Sequence, residues 1–143
     1  GCGPGQFAQY VAHELPKIRY QGADYSKTAI RQASNNCPEF RFVERDLMQD
    51  DALADLEGDT YIILETLEHI ESDVELVAKV PVGKRVILSV PNFDSIAHVR
   101  FFDKEEDVVE RYKGQLTGVA VQTVPLGGRS KIFLLHGVRG VAG

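Results

Sequence analysis

Cysteine is scarce in this chain of 143 residues: Cys2 and Cys37 are the only two. They form neither a metal-type pair nor a disulfide scaffold, which fits a reducing compartment. Positive charge is also short, with 16 lysines and arginines against 21 acidic residues and a net charge of -5. The basic stripe of a nucleic-acid surface is not advertised, so nucleic acid is not the expected partner. Long apolar runs are missing too. The runs over 61–64 and 86–88 fall far short of the roughly 20 residues that span a bilayer, and no membrane span is expected. No charged stretch leading into an apolar one opens the chain, so a cytoplasmic location is the expectation. Repeats, low-complexity tracts and linkers are absent as well. A hydrophobic fraction of 43% with 26% charged residues excludes a disordered chain, and the length suits one domain over 1–143.

What is present begins at once, with Gly1, Cys2, Gly3, Pro4 and Gly5. Glycines at such spacing suit a turn where backbone comes close to a ligand. Phe7, Tyr10, Val11 and Leu15 then recur at helical spacing until Pro16 stops them. A strand is expected over 18–24, and Ser26 is the expected N-cap of a helix over 27–34 bearing Ala29, Ile30 and Ala33. A short strand with Phe40, Phe42 and Val43 follows, then one or two helical turns over 52–56. The run over 61–64 has the pattern of a strand buried on both faces. Ser72 or Asp73 can cap a helix carrying Val74, Val77 and Val80. Residues 85–90 supply another buried strand, 103–112 a charged helix, and 119–124 with 131–138 a hairpin around Gly127 and Gly128. Strand and helix alternate, so the expected fold is α/β with a mostly parallel sheet and an antiparallel C-terminal hairpin.

In open α/β sheets ligands lie at the carboxyl ends of strands. The Gly1 to Gly5 turn enters a helix whose free amides favour an anionic group. Asp24 follows 19 residues after Gly5, near the roughly 20 at which a dinucleotide fold places its ribose-binding acid. Asp46 closes the next strand. Either acid alone would be ordinary turn chemistry; the ordered set points to a nucleoside-bearing cofactor.

Five segments, GCGPG over 1–5, GADYS over 22–26, RDL over 45–47, LETLEHI over 64–70 and VPNF over 90–93, resemble the class I S-adenosylmethionine-dependent methyltransferases. The likeness runs through nearly the whole chain and implies a Rossmann-like sheet with an antiparallel last strand. It implies that Gly1, Cys2, Gly3 and Gly5 pass the amino-acid part of S-adenosylmethionine, that Asp24 accepts both ribose hydroxyls, and that Tyr25 packs beside the adenine. Asp46 would receive the adenine amino group, the Leu47 amide would meet a ring nitrogen, and Glu65 would sit beside the methionine end. It also implies a first strand and a substrate-covering helical segment ahead of the turn, neither of which is in the sequence. Without that strand its two neighbours would carry unpaired edges, so an upstream segment, a partner's strand or a different closure of the sheet is expected. A nicotinamide-binding domain is the competitor. Its third glycine falls one residue later, and it has no counterpart to Asp46 or the hairpin.

Methyl transfer is an in-line displacement, and a base is needed only when the acceptor must lose a proton. Glu65, Thr66, Leu67, Glu68 and His69 stand where N-methylating relatives of bases and glutamine carry a proline-rich NPPY-type loop, which disfavours that subclass. Glu65, Glu68 and His69 at i, i+3 and i+4 would share one helical face and could hold a divalent cation. That resembles the metal-dependent ubiquinone-type O-methyltransferases and the enzymes that methylate RNA 3′ ends. His98 is a further ligand or a general base. Against this stands the plainer reading: Glu65 contacts cofactor or substrate, Glu68 faces solvent and His69 packs or bonds to backbone. Phe93, Val99, Phe101 and Phe102 either roof an apolar pocket or belong to the core. His13 is expected to be solvated, His136 is equally a packed sheet residue, and nothing marks Cys2 as an activated thiol. The expected activity is methylation of a small-molecule hydroxyl, with catalytic candidates Glu65, His69 and His98. An RNA 3′-terminal 2′-O-methyltransferase and a non-catalytic cofactor-binding module are the alternatives.

Overall fold

The computed structural model describes residues 1–53 and 55–140, in two compact units, Gly1–Leu56 and Glu57–Gly143. In the first, α1 (Gln6–Glu14) buries Ala8 and Val11 and ends before Pro16. A two-stranded parallel sheet pairs β1 (Gln21–Asp24) with β2 (Arg41–Glu44), Asp24 lying opposite Glu44. Between them runs α2 (Lys27–Asn36), which carries on through Asn35 and Asn36 beyond the expected end. Ser26 caps it as expected, its hydroxyl accepting the Ala29 amide at 3.2 Å. β1 is shorter than the expected 18–24 strand. Near the one or two helical turns expected over 52–56, the Ala52 amide donates to the Gln49 carbonyl and the Leu56 amide to the Leu53 carbonyl, while Ala54 lies outside the described residues.

The second unit holds a four-stranded sheet in the order β3-β4-β6-β5, from β3 (Thr60–Ile63), β4 (Arg85–Pro91), β5 (Leu116–Gly127) and β6 (Ser130–Arg139). β3 and β4 are parallel; β6 runs against both β4 and β5. β4 has a strand on each side and buries Val86, Leu88, Ser89, Val90 and Pro91, which fits the apolar residues on both sides of Ser89. The reading of β3 as buried on both faces does not hold: it closes the strand order, and Ile62 is 38% exposed. α3 (Asp73–Ala78) buries Leu76 and Val77, and α4 (Glu105–Tyr112) buries Val108 and Tyr112.

Neither Ser72 nor Asp73 caps α3 with its side chain. Asp73 is fully buried and accepts from the Tyr112 hydroxyl at 2.8 Å and from the Arg111 guanidinium at 2.6 and 3.2 Å. A buried carboxylate must find such partners or lose its charge, and in this sequence they lie 38 and 39 residues further on, past β4 in α4. Burial, then the Asp73 charge, push the Tyr112 hydroxyl far above its usual range. No helix among the described residues is long and apolar enough to cross a membrane.

Candidate functional site

In the first unit the glycine turn is bound to the end of β1. The Gly1 and Cys2 nitrogens both donate to the Ala23 carbonyl, at 2.8 and 2.9 Å. The Gly3 amide donates to one Asp24 oxygen and the Ser26 amide to the other, each at 2.9 Å. Asp24 is thus 7% exposed yet joined to backbone at both oxygens. A carboxylate offers about four lone-pair sites, so each oxygen keeps capacity for a further donor.

Gly5 is the N-cap residue of α1 at φ 89°, with no side chain over the first helical amides. A Cβ there would stand 3.0 Å from the Ala33 Cα, whereas one on Gly3, at φ 54°, would meet nothing within 4 Å. The turn therefore packs on α2 at Gly5 and is open at Gly3. Gly22, to which the spacing argument gave no role, lets β1 lie against the turn: its Cβ would fall 2.9 Å from both Cys2 and Phe42. Tyr25, next to Asp24, is 80% exposed. Asp46 lies two residues past Glu44, the partner of Asp24 in β2. Its carboxylate is exposed and accepts the Met48 amide at 2.9 Å, an Asx turn. Leu47 is half-buried between them. Burial pushes the Cys2 thiol up, so it stays protonated and unactivated.

In the second unit Glu65, Glu68 and His69 do not share one helical face. Only Leu67–His69 form a helical turn, of the 3-10 type. Glu65 stands before it in left-handed backbone, φ 48°, a strained position for a side-chain-bearing residue. The Ser89 hydroxyl holds it there, accepting the Glu65 amide at 2.9 Å and donating to its Oε1 at 2.7 Å. Glu68, expected to face solvent in the plainer reading, is 1% exposed, and its Oε2 has no hydrogen-bond partner among the described residues. Burial raises its carboxyl above the ordinary range, the Glu65 charge adds to this, and His69 and His98 work the other way.

The cluster that forms is Glu68, His69 and His98, whose ligand atoms lie within 4.8 Å of one another. The two rings meet edge-on, centroids 5.0 Å apart. His69 Nδ1 lies 2.9 Å from the Ala97 carbonyl and His98 Nδ1 3.2 Å from the Phe93 carbonyl. A carbonyl only accepts, so both hydrogen bonds put a proton on Nδ1, and in the neutral ring Nε2 then keeps its lone pair. His69 Nε2 lies 3.8 Å from Glu68 Oε1. Two imidazoles and a buried carboxylate make an N/O donor set suited to a divalent transition ion, with backbone carbonyls orienting the rings.

Residues 1–80 match the family model described as a methyltransferase domain. The chain belongs to that family. No curated protein sequence matches this methyltransferase domain, but its fold recurs among solved structures. The N-methyltransferase NodS of Bradyrhizobium japonicum WM9, in complex with S-adenosyl-L-homocysteine, is 17% identical with a TM-score of 0.70 over 97% of this chain and 74% of its own. Magnesium protoporphyrin IX methyltransferase of Synechocystis PCC 6803, with bound S-adenosylmethionine, is 22% identical, TM-score 0.68, over 98% and 67%. The [4+2]-cyclase SpnF is 12% identical, TM-score 0.74, over 99% and 74%. At these identities the likeness is one of fold.

The remaining candidates of the methyltransferase domain separate by burial. Phe102 is 8% exposed and belongs to the core, while Val99 and Phe101 are 44% and 46% exposed. His13 is exposed and bonded to Glu14, and His136 is an exposed residue of β6. Ser89 and Arg100 were missed by sequence reasoning. No local signal marks them, since their partners lie 24 to 33 residues away.

Proposed function

We propose that this methyltransferase domain takes S-adenosylmethionine as donor and methylates a hydroxyl oxygen of a small molecule. The observation that carries the donor is Asp24, a buried carboxylate tied by one backbone amide at each oxygen with acceptor capacity left on both. Two ribose hydroxyls are the complement of that arrangement, and the open backbone at Gly3 leaves room for the amino-acid end. The resemblance assigns Gly1, Cys2, Gly3 and Gly5 to that end, Tyr25 to the adenine face, Asp46 and Leu47 to the adenine edge, and Glu65 to the methionine end. When bound, the donor supplies a methyl group on a sulfonium, already activated for displacement. The protein then has to orient the acceptor, exclude water and take one proton from the hydroxyl. In their neutral rings the Nε2 atoms of His69 and His98 offer lone pairs for that proton.

A second reading is supported by the unpartnered Oε2 of Glu68. Glu68, His69 and His98 would hold a divalent cation, which makes a coordinated hydroxyl more acidic at neutral pH. Glu65, the third ligand expected from spacing, is bonded to Ser89 instead. A small acceptor is favoured over RNA by the net charge of -5.

Thermal shift with S-adenosylmethionine and S-adenosylhomocysteine tests the donor, because a ligand of the native state raises the midpoint. No shift with either at saturation would leave a domain without cofactor function. Transfer of labelled methyl to catechol-like acceptors and not to short RNA is the expected outcome of the acceptor assay. The reverse result would replace the small-molecule reading.

A further inference from the structure

We infer that Arg100 is the positioning residue of the Glu68–His69–His98 cluster, and that it sets the affinity of that cluster for a divalent cation; the inference rests on the cation reading above. The last carbonyls of a short helical turn have no partners within the turn. Here one guanidinium takes the Ile70 carbonyl and the Glu71 carbonyl at 2.8 Å just past the turn, and shares the Leu67 carbonyl, at 2.7 Å, with the Ile70 amide. The Arg100 side chain is 14% exposed, and Asp73, itself fully buried, lies 3.4 Å from it and balances its charge.

The consequence lies two residues away. The segment carrying His98 is laid along the turn carrying Glu68 and His69 by three ties. The Val99 amide donates to the Glu68 carbonyl at 2.8 Å, the His69 ring to the Ala97 carbonyl, and Arg100 to the end of the turn. Residues 94–97 before it are exposed, Ile96 completely, so no core packing of those residues holds His98 in place. Arg100 is the one tie with side-chain burial, charge balance and several donors. Its planar fork reaches diverging carbonyls that a single ammonium cannot satisfy together. A ligand set is sensitive to displacements well under 1 Å, and loss of the contacts that orient ligands costs about 10- to 100-fold in metal affinity.

The test is manganese(II) titration by calorimetry of the wild-type chain, Arg100→Gln, Arg100→Lys and Glu68→Gln. Arg100→Gln is expected to bind about 10- to 100-fold more weakly, Arg100→Lys to fall between it and wild type, and both to keep wild-type affinity for S-adenosylhomocysteine. Nitrogen-15 spectra of the imidazoles, without metal, should change from Nδ1-protonated rings to mixed tautomers in the Arg100 variants. A folded Arg100→Gln with wild-type manganese affinity overturns the inference and leaves the cation reading standing. No binding by wild type, or binding indifferent to Glu68→Gln, overturns the cation reading itself. Should Arg100→Gln not fold, wild-type affinity and unmixed tautomers in Arg100→Lys overturn the inference in its place.

Discussion

Replacing Asp24 by asparagine separates the structural from the ligand-binding task of one carboxylate. In the free chain its two oxygens each accept a backbone amide at 2.9 Å, at a position 7% exposed. Asparagine keeps the shape but turns one oxygen into a donor that must face either the Gly3 or the Ser26 amide. One hydrogen bond to a charged group, worth about 1.5–3 kcal/mol, is lost and the other weakened. A loss of about 2–3 kcal/mol lowers the melting midpoint of a chain this size by about 10 °C. Binding loses a further charge-assisted acceptor, about 1–3 kcal/mol, or roughly 10- to 100-fold in the dissociation constant of S-adenosylhomocysteine. Differential scanning calorimetry of the free variant reads the first effect, and isothermal titration well below its midpoint reads the second. A midpoint within about 2 °C of wild type would refute the accounting of the two amides. Affinity within about threefold would refute the assignment of the carboxylate to the ligand.

The other expectations concern the turn and the buried ion network. Gly5→Ala places a methyl 3.0 Å from the Ala33 backbone at φ 89° and should cost about 2–3 kcal/mol in urea unfolding. Gly3→Ala, whose Cβ meets nothing, should cost about 1 kcal/mol and weaken S-adenosylhomocysteine binding instead; equal stability losses would contradict the contrast. Asp73→Asn leaves the buried Tyr112 hydroxyl and two guanidiniums without their carboxylate, a loss of about 3 kcal/mol. With a slope of about 2 kcal/mol/M the urea midpoint should fall by more than about 1 M. Tyr112→Phe should cost about half as much, and the double variant less than the two separately. Strict additivity would mean that the hydroxyl and the carboxylate do not act together.

Much of the α/β order was readable because its signals are local. Ser26 caps α2 from three residues away, Pro16 stops α1, and β4 shows its burial in the apolar residues on both sides of Ser89. The glycine turn and Asp24 were readable for a related reason: positive-φ backbone and a strand-terminal acid are written in residue type and spacing. Helical periodicity misled at Glu65, which it placed on one face with Glu68 and His69. The strained φ of Glu65 depends on Ser89, a residue of β4 that no local pattern connects with it. It also left open the partner of Asp73, whose hydrogen bonds reach 38 and 39 residues along the chain.

By itself the sequence determined where the glycine turn falls, that Ser26 caps α2, the C-terminal hairpin and which acids end the strands, since those depend on backbone preference within a few positions. Only the tertiary structure decided which ionisable groups meet. Glu68 became a buried carboxylate with an unpartnered oxygen, His98 came to lie beside His69, and Arg100 joined their two segments. Desolvation and hydrogen-bond satisfaction are properties of the packed chain, and no spacing of residues along it contains them.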